Sequence, residues 1–392
     1  MRLVFTSVLA FGSLVSLPVW LQADGCNNET PVDCPRAAGP EDYVRRVVIS
    51  KPYDAAGNKS NLYEVLELST SGALTRTGVT FQMGRSSFGE IAFTPDGAIG
   101  IVPQENGTLG AFMLDAAGQV TVLETAFSGQ FYASQVVIDP SGARAWVVDS
   151  NWRENGGGIY SVRIECDGTL ANEGRVADAQ LPYAMQFLRD GSGRALLGSD
   201  DVLSSAPADD AQLLQVEPNR ISVIDGADAY GDEDAMISSL AVTFDGQFGL
   251  LGDNNLFSNT GNRVAVVGIE GMAEVQVLKN VEDPVAILAS PFNDAALVVS
   301  GFGDALFKLN YAPAASTPFT LAGELSYSGG RPQLPGASSL ISRGSLKGLV
   351  LIAENTGVRR VRFEGAGVVR DLGKLSLGTD YTAIPGALGV QP

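Results

Sequence analysis

From Val44 to the C-terminus the chain is built of short runs of alternating or wholly apolar residues, each ended by a turn dipeptide. The stretch Ala133 to Val176 gives the unit in full. It runs Ala-Ser-Gln-Val-Val-Ile, the turn Asp139-Pro140-Ser141-Gly142, Ala-Arg-Ala-Trp-Val-Val-Asp, a glycine tip at Gly156 to Gly158, Ile-Tyr-Ser-Val-Arg-Ile, and then Asp167-Gly168 before a last polar run. Four such runs joined by tight turns predict one four-stranded antiparallel meander. The first turn of the unit recurs as Thr94-Pro95-Asp96-Gly97, Asp139-Pro140-Ser141-Gly142, Arg189-Asp190-Gly191, Phe244-Asp245-Gly246, Ser290-Pro291-Phe292-Asn293 and Ser342-Arg343-Gly344. Successive last residues are 45, 49, 55, 47 and 51 positions apart. A four-strand unit repeated at that period predicts an all-β fold, a β-propeller.

Six blades follow from those turns, and the termini supply a seventh. Val44 to Ile49, Leu62 to Leu68 and Leu74 to Phe81 are three strand-like runs with no first strand before them. At the other end Pro385-Gly386-Ala387-Leu388-Gly389-Val390 repeats the opening Pro335-Gly336-Ala337-Ser338-Ser339-Leu340 of the sixth unit and then stops. A C-terminal inner strand joined to N-terminal outer strands would close the ring and leave no exposed edge. The expected organisation is a single seven-bladed domain over residues 43–392, preceded by a Pro-rich linker at 24–42. Two insertions, Asp200 to Gln215 and Asn254 to Asn262, follow second strands; they are either tolerated surface loops or a lid on one face.

Residues 1–23 carry Arg2, an apolar run from Leu3 to Trp20 and a small residue at Ala23, the pattern of a secretory signal peptide. The run nearly reaches spanning length, so an uncleaved anchor is the alternative. Ala23-Asp24-Gly25 before Cys26 departs from a lipobox, and export without a lipid is expected. In an oxidising compartment Cys26 and Cys34 are close enough in sequence to pair, leaving Cys166 as a packed thiol.

Charge and composition then remove function classes. The net charge is −18 with no Lys/Arg cluster, which excludes nucleic acid and an anionic membrane surface as partners. There is no histidine among the 392 residues, so no Ser-His-Asp triad, imidazole base or His-ligated metal is available. Chemistry here must use carboxylates, amides, hydroxyls or a metal bound through oxygen.

Pro140-Ser141-Gly142-Ala143-Arg144-Ala145-Trp146-Val147-Val148-Asp149, followed by Ile159 to Ile164 and Asp167-Gly168-Thr169-Leu170, resembles the YVTN and lactonase-like seven-bladed propellers that include bacterial 6-phosphogluconolactonase. Asn219-Arg220-Ile221-Ser222-Val223-Ile224 and Asn262-Arg263-Val264-Ala265-Val266-Val267 look like that family's Asn-Arg-x-x-Ile-x-Val strand. The resemblance covers nearly all of the chain beyond the leader and implies the fold. It also implies histidines near the mouth in the catalytic subgroup, which this chain lacks.

The second strands end in acids and amides: Glu105-Asn106, Asp149 with Asn151, Asp200-Asp201, Asp253-Asn254-Asn255 and Glu354-Asn355. In a ring these positions converge on one face, and their oxygens suit Ca²⁺, with Asp149, Asp200, Asp253 and Asn254 as candidate ligands. The competing reading is that strand-end Asp and Asn satisfy turn backbone groups. Glu90 and Gln135 open the inner strands of the first two units, where the equivalent places hold Ala184, Ser239 and Ala286, and should face the channel. Glu90 and Asp149 are the candidate catalytic acids. Asn151-Trp152-Arg153 is the candidate contact loop, Trp and Arg being enriched where partners bind. The reading is a secreted or periplasmic, monomeric propeller that binds a protein or small-molecule ligand through one face, with Asn151, Trp152, Arg153 and Gln135 as binding residues. The alternative is a Ca²⁺-dependent lactonase or related hydrolase; no other cofactor is expected.

Overall fold

The computed structural model describes residues 33–392 apart from 55, 88, 124–130, 151–156, 179–180, 201–208, 232–233, 255–261 and 379–385. Seven sheets make a seven-bladed propeller. Six of them open on the inner strands Ala92–Phe93 (blade 2), Ala133–Ile138 (3), Pro182–Phe187 (4), Ile237–Val242 (5), Pro284–Ala289 (6) and Ser338–Leu340 (7), each followed outward by three antiparallel strands. Blade 1 takes its inner strand, Ala387–Val390, from the C-terminus and its outer strands, Arg45–Tyr53, Lys59–Leu68 and Leu74–Gln82, from the N-terminus.

Two features of the sequence produce this ring. The first is the burial of second strands on both faces. Trp146 and Val148 pack toward blade 4 while Ala145 and Val147 pack toward blade 2, as a period of two requires of a strand sandwiched between neighbours. The described apolar core accordingly divides into seven clusters, one at each blade-to-blade interface. The second is the turn after each inner strand. Gly97, Gly142, Gly191, Gly246 and Gly344 have φ between 70° and 72°, and Asn293 has φ 55°. That left-handed conformation suits glycine and, next, asparagine, which is why the repeat was readable at this residue.

Closure occurs between the expected strands, with Val47, Val48 and Ile49 opposite Val390, Gly389 and Leu388. The Gln391 side chain clamps it, accepting from the Arg46 N–H at 2.9 Å and donating to the Gly97 carbonyl at 2.8 Å. The inner edge of this strand is also covered. Gly89–Glu90 lies parallel to it, with Gly89 N–H on the Gly386 carbonyl (3.0 Å) and Ile91 N–H on the Leu388 carbonyl (2.9 Å), so blade 1 is five-stranded.

Residues 33–42 have no regular structure but are tied to the face that carries the inner-strand turns. Arg36 donates from its backbone to the Ser141 carbonyl at 2.7 Å and pairs with Asp96, Gly39 N–H reaches the Pro95 carbonyl, and Asp42 accepts from the Ser345 N–H. Cys34 is bonded to Cys166, which corrects the expected Cys26–Cys34 pair and the free Cys166 thiol. Sequence proximity suggested the shorter loop; the strap instead carries Cys34 to the end of a blade 3 strand, where the two Cα atoms are 5.3 Å apart. Cys26 and the leader lie outside the described residues.

Two smaller readings are also corrected. Ala211 to Gln215, assigned to an insertion, begin the third strand of blade 4 (Ala211–Glu217). The two Asn-Arg motifs are not equivalent, because Arg220–Ala227 is an outermost strand whereas Arg263–Gly268 is a third strand. Among the described residues no helix is long and apolar enough to cross a membrane.

Candidate functional site

The inner strands of blades 2 to 7 surround a central channel with a cavity of 410 Å³. Seven positions before each turn residue, the wall carries Glu90, Gln135, Ala184, Ser239, Ala286 and Ala337, all of which line it. One position earlier, in blades 3 to 6, the ladder skips a residue: Ser134, Tyr183, Ser238 and Val285 have no partner in the second strand. A bulge at the same place in four blades re-aims side chains that strict alternation would send elsewhere, and all four of these residues line the channel. The rim thus gains hydroxyls that alternation alone did not disclose.

Glu90 faces this channel as expected. Ser339 Oγ, itself buried, donates to Glu90 Oε1 at 2.8 Å. Glu90 is exposed to the channel, but blade walls surround that space, and among the described residues no guanidinium or ammonium stands beside the carboxyl to offset the loss of bulk water. Burial therefore pushes its pKa up to about 7, against a smaller lowering by the Ser339 hydrogen bond. Gln135 also lines the channel, its amide oxygen accepting from the Met185 N–H of the next blade at 2.7 Å. Gln186 does the same one blade on, to the Val242 N–H at 2.8 Å. Ser239 Oγ donates to the Pro284 carbonyl at 2.6 Å. Burial raises the Tyr183 phenol to about 12, helped by the nearby Asp200 and Tyr132, and it remains a neutral donor.

The strand-end acids are not brought into this site. Asp149 Oδ1 accepts from the Tyr132 N–H at 2.8 Å, and Asp253 Oδ1 accepts from the Met236 N–H at 3.0 Å, each tying the backbone that enters its own blade's inner strand. Asp253 also binds Arg263 Nε at 2.8 Å. Glu354 is held by Arg359 and Lys374 within blade 7. Asp200 is buried beside an isolated bridge to Met236, and Asn254 N–H is bonded to the Met236 carbonyl. Among the described residues no three acidic or cysteine side chains are placed to share a metal ion, and none of Asp149, Asp200, Asp253 and Asn254 lines the channel. For Asp149 and Asp253 the physical reason is the one weighed against Ca²⁺ from sequence: each carboxylate is taken up by a backbone donor, and that of Asp253 by an arginine of its own blade as well. Asn151, Trp152, Arg153, Asp201 and Asn255 lie outside the described residues.

Sequence reasoning missed Ser339, Tyr183, Ser134, Ser238, Gln186 and Arg189. Counting back from the turn residue would have found Gln186 and Arg189; the bulged positions had no signal in the sequence.

No protein-family model matches the chain, and no curated protein matches it either. Solved structures do. A putative 6-phosphogluconolactonase from Bacteroides fragilis superposes with a TM-score of 0.63 at 14% identity, covering 88% of this chain and 98% of that one. A protein from Lactobacillus plantarum gives 0.65 at 14%, covering 89% and 100%. The Pseudomonas aeruginosa periplasmic gluconolactonase PpgL gives 0.63 at 16%, covering 89% and 99%. Over nearly its whole described length, the chain has the seven-bladed propeller fold shared by proteins named as gluconolactonase and 6-phosphogluconolactonase.

Proposed function

We propose that the chain is a ligand-binding propeller whose site is the central channel, and that Glu90 handles a proton on the bound molecule. The observation that carries this is the Glu90 carboxyl, held through one oxygen by Ser339, open to the channel and balanced near neutral pH. Around it stand hydroxyls and amides, which fits an oxygen-rich molecule of the size of a sugar lactone. The names of the structural neighbours point to the same ligand class, although a shared fold does not carry activity. Hydrolysis is the second reading, favoured by the same pKa: ionised Glu90 would take a proton from water as that water attacks the lactone carbonyl, with no step assigned to a metal.

The Cys34–Cys166 bond and the apolar leader support export to an oxidising compartment, and one neighbour is a periplasmic protein. The test is calorimetric titration of the full chain with glucono-1,5-lactone and with the non-hydrolysable polyol glucitol, together with a hydrolysis assay. Binding by wild type, retained by Glu90→Gln while turnover is lost, supports both readings. Binding with equal turnover in both proteins removes the catalytic reading, and no binding of either compound removes the channel-ligand reading.

A further inference from the structure

The channel wall carries one Lys or Arg among its described residues, Arg189, and the site at Glu90 does not use it. Arg189 stands two residues before the turn glycine Gly191, where the other blades hold Pro95, Pro140, Phe244, Pro291 and Ser342. Its guanidinium lies 3.7 Å over the ring of Phe244, its own counterpart in the next blade, so the planar group is seated and oriented. It makes no hydrogen bond or ion pair with a described residue. Acids near the turn are otherwise engaged: Asp190 pairs with Arg194 and Ser192, and Asp139 Oδ1 accepts from Ser141 and the Ala143 N–H. The side chain is open to solvent at this end of the channel, and the desolvation its surroundings do impose lowers its pKa with no acid offsetting it.

The neighbouring polar group points to the same chemistry. Gln186, three residues earlier and also on the wall, spends its amide oxygen on the Val242 N–H, which leaves its NH₂ as a donor. The turn end of the channel therefore offers N–H donors and a positive charge. Glu90, the carboxyl among the described residues of the wall, belongs to the other end, five positions earlier in the unit, an offset of about 16 Å along the strand direction at the rise of a β-strand.

We propose that the turn end of the channel is an anion subsite, in which Arg189, seated on Phe244 and flanked by the Gln186 amide, takes the paired oxygens of a carboxylate or phosphate. A guanidinium fork matches such a group with two parallel hydrogen bonds. The anion is either the acidic end of the channel ligand, a source that rests on the channel-binding reading above, or a free inorganic ion. In a chain of net charge −18, an uncompensated cation inside a concave wall is where an anion gains most over bulk water.

The test titrates the full chain with inorganic phosphate, with gluconate and with neutral glucitol, using wild type, Arg189→Gln and Arg189→Lys, each first checked by its melting temperature. Wild type should bind phosphate or gluconate, Arg189→Gln should weaken that binding about tenfold or more, the loss expected for a charge-assisted hydrogen bond, and Arg189→Lys should restore part of it. Gluconate bound tighter than glucitol, with the preference lost in Arg189→Gln, identifies the anion as the ligand's own acidic end. Phosphate bound without gluconate identifies a free ion, and the subsite then stands even if the lactone reading fails. Equal affinity for anions in wild type and Arg189→Gln, or no anion binding by wild type, overturns the proposal.

Discussion

Ser339 and Glu90 meet 249 positions apart in sequence, the Ser339 hydroxyl donating to Glu90 Oε1 at 2.8 Å. Ser339 belongs to blade 7 and Glu90 to the segment that leads into blade 2, so their bond spans the closing strand of blade 1. It is available because Gly89–Glu90 lies on the inner edge of Ala387–Val390. Ring closure and the candidate site are therefore one piece of structure, and damage to the first should reach the second.

The raised Glu90 pKa predicts a particular pH dependence of stability. Its folded pKa, about 7, lies above the unfolded value of 4.5, so the native state holds the proton more tightly. This group's contribution is full below about 4.5 and is lost as pH rises toward 7. Glu90→Gln should remove that part of the slope, which melting temperatures measured from pH 4 to pH 8 would show as a gain over wild type that grows with pH. The gain should be well short of the full linkage value, because channel water touches the carboxyl. Ser339→Ala should act in the opposite sense, raising the Glu90 pKa further by removing the donor.

Closure is tested at Gly389. A Cβ added there would stand 2.4 Å from the Ile91 carbonyl oxygen and 2.6 Å from Ile91 Cβ, so the Gly89–Glu90 segment would be pushed from the closing strand. Gly389→Ala should destabilise the protein by about 1–3 kcal/mol, the usual range for overpacking. Gly336→Ala, where an added Cβ meets nothing within 4 Å, should leave it nearly unchanged. Deleting Gly386 to Pro392 should lower the unfolding midpoint sharply or cause aggregation, since it uncovers the edges of Arg45–Tyr53 and Gly89–Glu90 together. Denaturant melts of the three variants check these outcomes.

The strap predicts a redox effect. Cys34 and Cys166 enclose a separation of 132 residues, and a cross-link of that span stabilises by about 5 kcal/mol in the chain-entropy model, with measured bonds typically giving about 2–4. Cys166→Ser, or reduction of the wild-type protein, should lower stability by an amount in the measured range. Cys26→Ser should not, and a matching loss in that variant would place the disulfide at Cys26.

The blade count and the closing strand were legible because the backbone demands a left-handed residue at one place in every unit, and Gly97 through Gly344 mark it at a regular period. Burial on both faces made the second strands near-continuous apolar runs, readable in the same way. Glu90 and Gln135 were legible from their position relative to that turn. The Ser339 contact was not, because it depends on where Gly89–Glu90 lies once the ring has closed. Tyr183 and the serines at 134 and 238 were hidden for a different reason, a bulge that breaks the alternation a sequence reading relies on. Asp149 and Asp253 were legible as strand-end acids open to both a ligand and a cap reading, and the backbone donors at Tyr132 and Met236 are the cap contacts that the sequence could not display.

The central claim is that the channel holds a carboxyl that exchanges its proton near neutral pH. The direct measurement is a ¹³C-carboxyl NMR titration of protein labelled at glutamate side chains, with the Glu90 signal assigned by its disappearance in Glu90→Gln. The account predicts a midpoint for that signal near 7. A midpoint near 4.5, the ordinary carboxylate value, would contradict it.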